Sequence, residues 1–141
     1  MATIHLILFM LTVSYLSAVG ALMYLDLTSH PDISNAVKIL SCFSANPGTT
    51  HWNAVKHLFH YLQGTKDLKL IYGSDNSGQL FSTDTDAAHG DVKKNGRSTD
   101  GYLVKFGTGA VSWNSKVQPF VALSTSEAEF IAAMEAGKEI F

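Results

Sequence analysis

The sequence predicts an α/β chain with helices first, strands in the middle and one more helix at the end. Three observations carry that order. Apolar residues recur at helical spacing as far as Leu62, and they alternate with polar ones over much of the stretch from Leu68 to Trp113. A helix-start signal then returns at Ser124.

Composition sets the outer limits. Of the 141 residues, 46% are hydrophobic and 16% are charged, against about 25% charged in an average domain. Such a chain can bury a core, so disorder does not describe the whole. A formal net charge of -2 excludes a strongly basic nucleic-acid coat but leaves room for a local basic face. One cysteine, Cys42, excludes an internal disulfide and a multi-cysteine zinc site.

The first 25 residues carry no charged side chain, and Ile4 to Leu25 forms an apolar run of 22 residues. That length suits a membrane span or signal, or else a very apolar buried helix. No Lys or Arg precedes Lys38, which weighs against a signal or an oriented span. At Ser29-His30-Pro31-Asp32 a proline in the first turn starts a helix, followed by Ile33, Ala36, Val37 and Leu40 at helical spacing. Cys42 falls on or beside that apolar face, so burial is expected. Asn46-Pro47-Gly48 breaks the chain. Thr49 or Thr50 can cap the next helix, whose apolar stripe is Trp52, Val55, Leu58, Phe59 and Leu62, with Gly64 ending it.

The period then shortens to two. Leu68 to Tyr72 is expected as a strand, Ser74 to Gly78 as a turn and Leu80 to Asp86 as a second strand. Lys93 to Gly96 reads as a polar loop. Tyr102 to Phe106 and Ala110 to Trp113 read as a hairpin joined by Gly107-Thr108-Gly109. Ser124-Thr125-Ser126-Glu127 is a capping box opening a helix from Ala128 to Phe141.

The chemistry-bearing candidates are mostly acidic. Asp84 and Asp86, two apart in a strand, share a face. Glu127 is occupied by capping, which leaves Glu129 free. Ala132, Ala133 and Ala136 continue its side of the helix with small residues, so close packing on the sheet is expected to bring Glu129 toward the strand of Asp86. Converging carboxylates of that kind would hold a hard cation such as Mg²⁺; solvated acids at a strand end and a helix end are the commoner outcome. His57 and His60 lie three apart on one helix and, with Lys56, form a polar strip, best read as solvated, with phosphate contact by Lys56 as the alternative. Lys93, Lys94 and Arg97 cluster in or beside a loop and could touch a nucleic-acid backbone.

Several strings resemble one family. They are Tyr15 to Leu25; Pro31-Asp32-Ile33-Ser34 with Ala36-Val37; His51-Trp52 with Ala54, Lys56, Tyr61-Leu62 and Gly64-Thr65; Ser98-Thr99, Gly101-Tyr102, Ser112-Trp113, Ser115-Lys116 and Gln118; and Val121 to Thr125 with Glu127-Ala128-Glu129-Phe130 and Ala132. Together they look like the C-terminal part of the Pol polyprotein of copia-type retrotransposons, where reverse transcriptase joins RNase H. The resemblance covers Tyr15 to Phe141. It implies residues 15–66 as a helical thumb or connection segment of reverse transcriptase and residues 67–141 as the N-terminal half of a truncated RNase H-like fold. Residues 1–14 are an apolar extension outside it. It also favours the buried-helix reading of the opening run, and a cytoplasmic or nuclear place over a membrane.

The implied activity is cleavage of the RNA strand of an RNA–DNA hybrid with two Mg²⁺ ions. Asp86, counted back from Ser98-Thr99, matches the first Asp of the family's Asp-Ala-Asp string. Glu129 matches the acid of its Glu-Ala-Glu-aromatic string. The pattern also departs from the family: Ala88 replaces the second Asp, and His30 stands where Arg is usual. The family's other two acidic ligands lie beyond the helix in which this sequence ends. The expectation is a chain with two of four ligands, poor metal retention and no nuclease activity alone. The rest of a reverse transcriptase and the hybrid are the implied partners. A non-catalytic nucleic-acid or protein binding module is the alternative, and a small protein anchored in a membrane by residues 4–25 is the second.

Overall fold

A computed structural model describes residues 14–73, 80–92 and 95–140. They fall into two compact units that divide between Leu68 and Lys69.

The first unit is helical. Helix α1 spans Tyr15–Thr28, a 3-10 turn covers Pro31–Ile33, α2 spans Ser34–Ser41 and α3 spans Thr49–Gly64. Ser14 caps α1, its hydroxyl accepting from the Ser17 N–H at 3.2 Å. Tyr15, Ala18, Val19 and Leu22 of α1 meet Ile33, Val37 and Leu40, and Val55 and Leu58 of α3, in one buried cluster. Tyr15 ties the three helices together. Its hydroxyl donates to the Leu40 carbonyl at 2.8 Å, and its ring meets Trp52 edge-on with centroids 5.7 Å apart. Tyr61 donates to Asp32 at 2.6 Å and so anchors the 3-10 turn to α3.

Two expectations fail in this unit. Neither threonine caps α3. Gly48 is the N-cap, and the His51 Nδ1 accepts the Gly48 N–H at 2.8 Å. The imidazole reaches back one turn, as a Glu or Gln does in a capping box, and stacks on Phe43 with centroids 4.0 Å apart. Cys42 is exposed rather than buried, because it follows the last turn of α2 and its thiol turns back to the Lys38 carbonyl at 3.4 Å.

The second unit is a three-stranded antiparallel sheet in the order β1-β2-β3, with one helix. Strand β1 spans Phe81–Val92, β2 Arg97–Phe106, β3 Gly109–Val117, and helix α4 Thr125–Ile140. The mixture of helices and antiparallel strands agrees with the predicted class, and the strands run longer than their periodicity suggested. Gly107, at φ 57°, takes the first position of the two-residue β2–β3 turn, where a primed hairpin needs a positive φ. The expected strand at Leu68–Tyr72 does not form a ladder. That segment docks on the turn instead: Tyr72 donates to the Ala110 carbonyl at 2.8 Å, and Gly73 and Thr108 bond through Thr108 Oγ1 and the Gly73 carbonyl. Gly109 makes room for this, since a Cβ there would sit 2.2 Å from the Tyr72 ring. The turn expected at Ser74–Gly78 lies outside the described residues.

Helix α4 starts as the sequence predicts. The Ser124 hydroxyl accepts from the Glu127 N–H at 3.1 Å, and the Glu127 carboxylate accepts from the Leu123 N–H at 2.7 Å. Ala128, Ala132 and Ala136 are buried, and this small face lets the helix lie close on the sheet. At the flank, Glu135 takes a hydrogen bond from Lys116 of β3 and another from Lys138, one turn on. These two ammonium groups hold its carboxyl below the usual range, at about 2. No helix among the described residues is long and apolar enough to cross a membrane.

Two outcomes follow. Tyr15→Phe removes a buried donor and leaves the Leu40 carbonyl short of a partner, so chemical denaturation followed by circular dichroism should show a loss of about 1 kcal/mol. Glu135 is more acidic folded than unfolded. Its stabilisation is therefore complete above the ordinary carboxylate range and is lost as pH falls from there toward 2. Glu135→Gln should cost roughly 0.5–1 kcal/mol at pH 7, and its melting temperature should converge with that of the parent near pH 2.

Candidate functional site

Strand register decides where the acids point. Asp86 pairs with Gly101 and Asp84 with Leu103, whereas Ala87 pairs with Asp100 and Thr85 with Tyr102. Cross-strand partners share a face and neighbours alternate. The face that α4 covers is the Asp100 face. Gln118 Nε2 donates both to Asp100 Oδ1 and to the Ala128 carbonyl of α4. Lys116, the register partner of Asp100, reaches Glu135, and Ser112 reaches Glu139 at 3.5 Å. Asp84 and Asp86 therefore project from the opposite face. Both are exposed, and Asp84 is ion-paired to Lys105 on that same face.

Glu129 sits one residue beyond the buried Ala128, exposed at the side of α4. The helix that carries Glu129 does pack against β1, the strand of Asp86, but on the Asp100 face of the sheet, whereas Asp86 leaves by the other face. Ala132 and Ala136 do pack inward as expected, but Ala133 is exposed. A one-residue slip of β1 would be needed to turn Asp86 toward the helix. The ladder is regular from Phe81 to Ala88 and shifts only between Ala88 and Val92.

This placement does not suit Mg²⁺. That ion needs near-octahedral oxygen ligands around one point, and no group of three or more His, Cys, Asp or Glu side chains converges among the described residues. Two acids on different surfaces leave each ion one carboxylate.

The described basic candidates divide between the two units. Lys56, His57 and His60 are all exposed on α3, as a solvated strip should be. Arg97 opens β2 half-buried, in the other unit, with its N–H bonded to Asn95 Oδ1 at 3.2 Å. Lys93 and Lys94 lie outside the described residues. His89 is held by the loop before α4, donating from Nε2 to the Ala122 carbonyl at 3.1 Å.

The polar residues that do meet in the interior were not singled out for chemistry by the sequence. Asp100 is 2% exposed and Gln118 fully buried. The signal available was the place of Gln118 in the family string, but its partner lies eighteen residues away on another strand. The Gln118 Oε1 has no hydrogen-bond partner among the described residues, a cost that the two bonds from its Nε2 offset.

No family model matches the chain, and no solved structure does. Similarity to known proteins crosses both units. Over 131 residues, 93% of this chain, it is 50% identical to the retrovirus-related Pol polyprotein from transposon TNT 1-94 of Nicotiana tabacum, and it spans 10% of that protein. It is 47% identical to secreted RxLR effector protein 161 of Plasmopara viticola, covering 92% of this chain and 91% of that one. Against the Pol polyprotein from transposon RE2 of Arabidopsis thaliana it is 39% identical over 127 residues, which is 8% of that protein. The chain thus spans about a tenth of these Pol polyproteins, and over most of its own length it shares the lineage of the Pol polyproteins of copia-type retrotransposons.

Proposed function

We propose that this chain corresponds to the stretch of a copia-type Pol polyprotein that joins the end of reverse transcriptase to the opening half of an RNase H domain. In that lineage Asp86 and Glu129 are metal-holding acids of a nuclease that cuts the RNA strand of an RNA–DNA hybrid. This chain alone does not cleave. What supports the lineage is the similarity to Pol polyproteins across both units, and what supports the inactivity is the register that pairs Asp86 with Gly101 and turns it away from α4. Two acids on opposite sides of a sheet cannot clamp the attacking and leaving oxygens of one phosphodiester.

The Plasmopara viticola relative is named a secreted RxLR effector. Arg97 is the single arginine here, so these 141 residues contain no Arg-x-Leu-Arg string. A second reading, a nucleic-acid binding module, draws on the exposed Lys56, His57 and His60 on one helix.

The test is purified chain with Mg²⁺ or Mn²⁺ and an end-labelled hybrid. No cleavage is expected. Cleavage that disappears in Asp86→Asn would overturn the proposal of inactivity. Asp86 is exposed, so Asp86→Asn should leave stability within about 0.5 kcal/mol, which keeps the control interpretable. In the same samples, hybrid affinity that falls with salt and drops further in Lys56→Ala would support the binding reading. No affinity at low salt would remove it.

A further inference from the structure

Helix α1 has a second apolar stripe that the described residues of its own unit leave exposed. Its inward side carries Tyr15, Ala18, Val19 and Leu22. Leu16, Gly20, Met23 and Leu27 run along the outward side at spacings of four, three and four, the seam of a two-helix coiled coil. Leu16 is 65% exposed, Met23 44% and Leu27 73%, with Tyr24 beside them at 69%. A Cβ on Gly20 would meet nothing within 4 Å, so the seam has an open notch at that point. A helix apolar on both sides is ordinarily covered on both.

We propose that the occupant is a second copy of this chain, with α1 packed antiparallel on α1. The spacing is self-complementary about a point midway between Ala21 and Leu22. A two-fold axis there sets Leu16 against Leu27 of the other copy and Gly20 against Met23. The longest side chain of the stripe then enters the notch left by the residue with none, which is the large-against-small pairing that facing helices need. Each copy offers the same patch, as an isologous dimer requires. The stripe holds no charged residue, so no like charges meet across the axis. Leu16, Met23, Tyr24 and Leu27 expose on the order of 500 Å² per chain, so covering both copies reaches about 1,000 Å², the lower limit for a specific interface.

Sedimentation of the full chain across a concentration series tests this. A monomer–dimer equilibrium is expected in the range up to about 100 µM. Leu16→Glu and Leu27→Glu should each weaken association at least tenfold, while circular dichroism stays that of the parent. Gly20→Met should block the notch and Met23→Gly should empty it, each weakening the dimer. The double exchange of Gly20→Met with Met23→Gly rebuilds the same pairing with the roles reversed and should recover most of the loss. A chain monomeric throughout overturns the proposal. So does a dimer indifferent to the glutamates, or a double exchange no better than its parts. Monomer that instead binds neutral phospholipid vesicles through this stripe would assign it to a lipid surface and equally overturn it.

Discussion

Asp100, Gln118 and the Ala128 carbonyl meet beneath α4, and the layout of the second unit depends on that contact. A carboxylate and an amide side chain have been taken out of water there. Both groups are buried, so breaking their contact would cost more than the bond itself contributes. The contact therefore pins β2 so that Asp100 faces the helix. Alternation does the rest: Gly101 must face away, and so must Asp86, its partner on β1. A slip of one residue would exchange the two faces along the whole strand. The position of Asp86 is thus set from the opposite side of the sheet, by Asp100 and Gln118.

The first unit depends on small and aromatic residues of α1. Ala18 and Val19 let the helices approach, and Tyr15 fills the junction with Trp52 while satisfying a carbonyl of α2. This accounts for half of the uncharged opening run. Its second half is apolar because one side closes a core. The other side is apolar as well, and the core does not need that. Mean hydropathy cannot separate the two cases, whereas exposure residue by residue can.

Much of this was legible in the sequence, for identifiable reasons. The capping box at Ser124 and Glu127 is local, and it forms. The stripe of α3 and the Gly107 hairpin are local too. What was not legible depends on partners distant in sequence. His51 caps α3 because Gly48 leaves an N–H within reach of an imidazole already braced by Phe43, and threonine propensity says nothing of that. Leu68 to Tyr72 alternates like a strand, yet its hydrogen bonds go to the hairpin turn, where Gly109 accommodates the Tyr72 ring. Spacing correctly placed Asp84 and Asp86 on a common face. It could not say which face α4 would cover, because that choice belongs to Asp100 and Gln118.

Lineage and chemistry accordingly survive at different levels in this chain. The strings that carry the family likeness include its packing and capping residues: the α1 core, the hairpin strands, Gln118 and the box at Ser124. Each is held by contacts within its own unit, so each keeps its meaning in a stretch that spans about a tenth of the Pol polyproteins it matches. A metal centre has no such local guarantee. It requires several carboxylates on separate elements to meet at one point, and no such group forms among the described residues: Asp84 and Glu135 pair with lysines, Asp100 is buried against Gln118, Glu127 caps α4, and Asp86 and Glu129 are exposed. High identity with Pol polyproteins is therefore compatible with a chain whose described acids do not gather at one point.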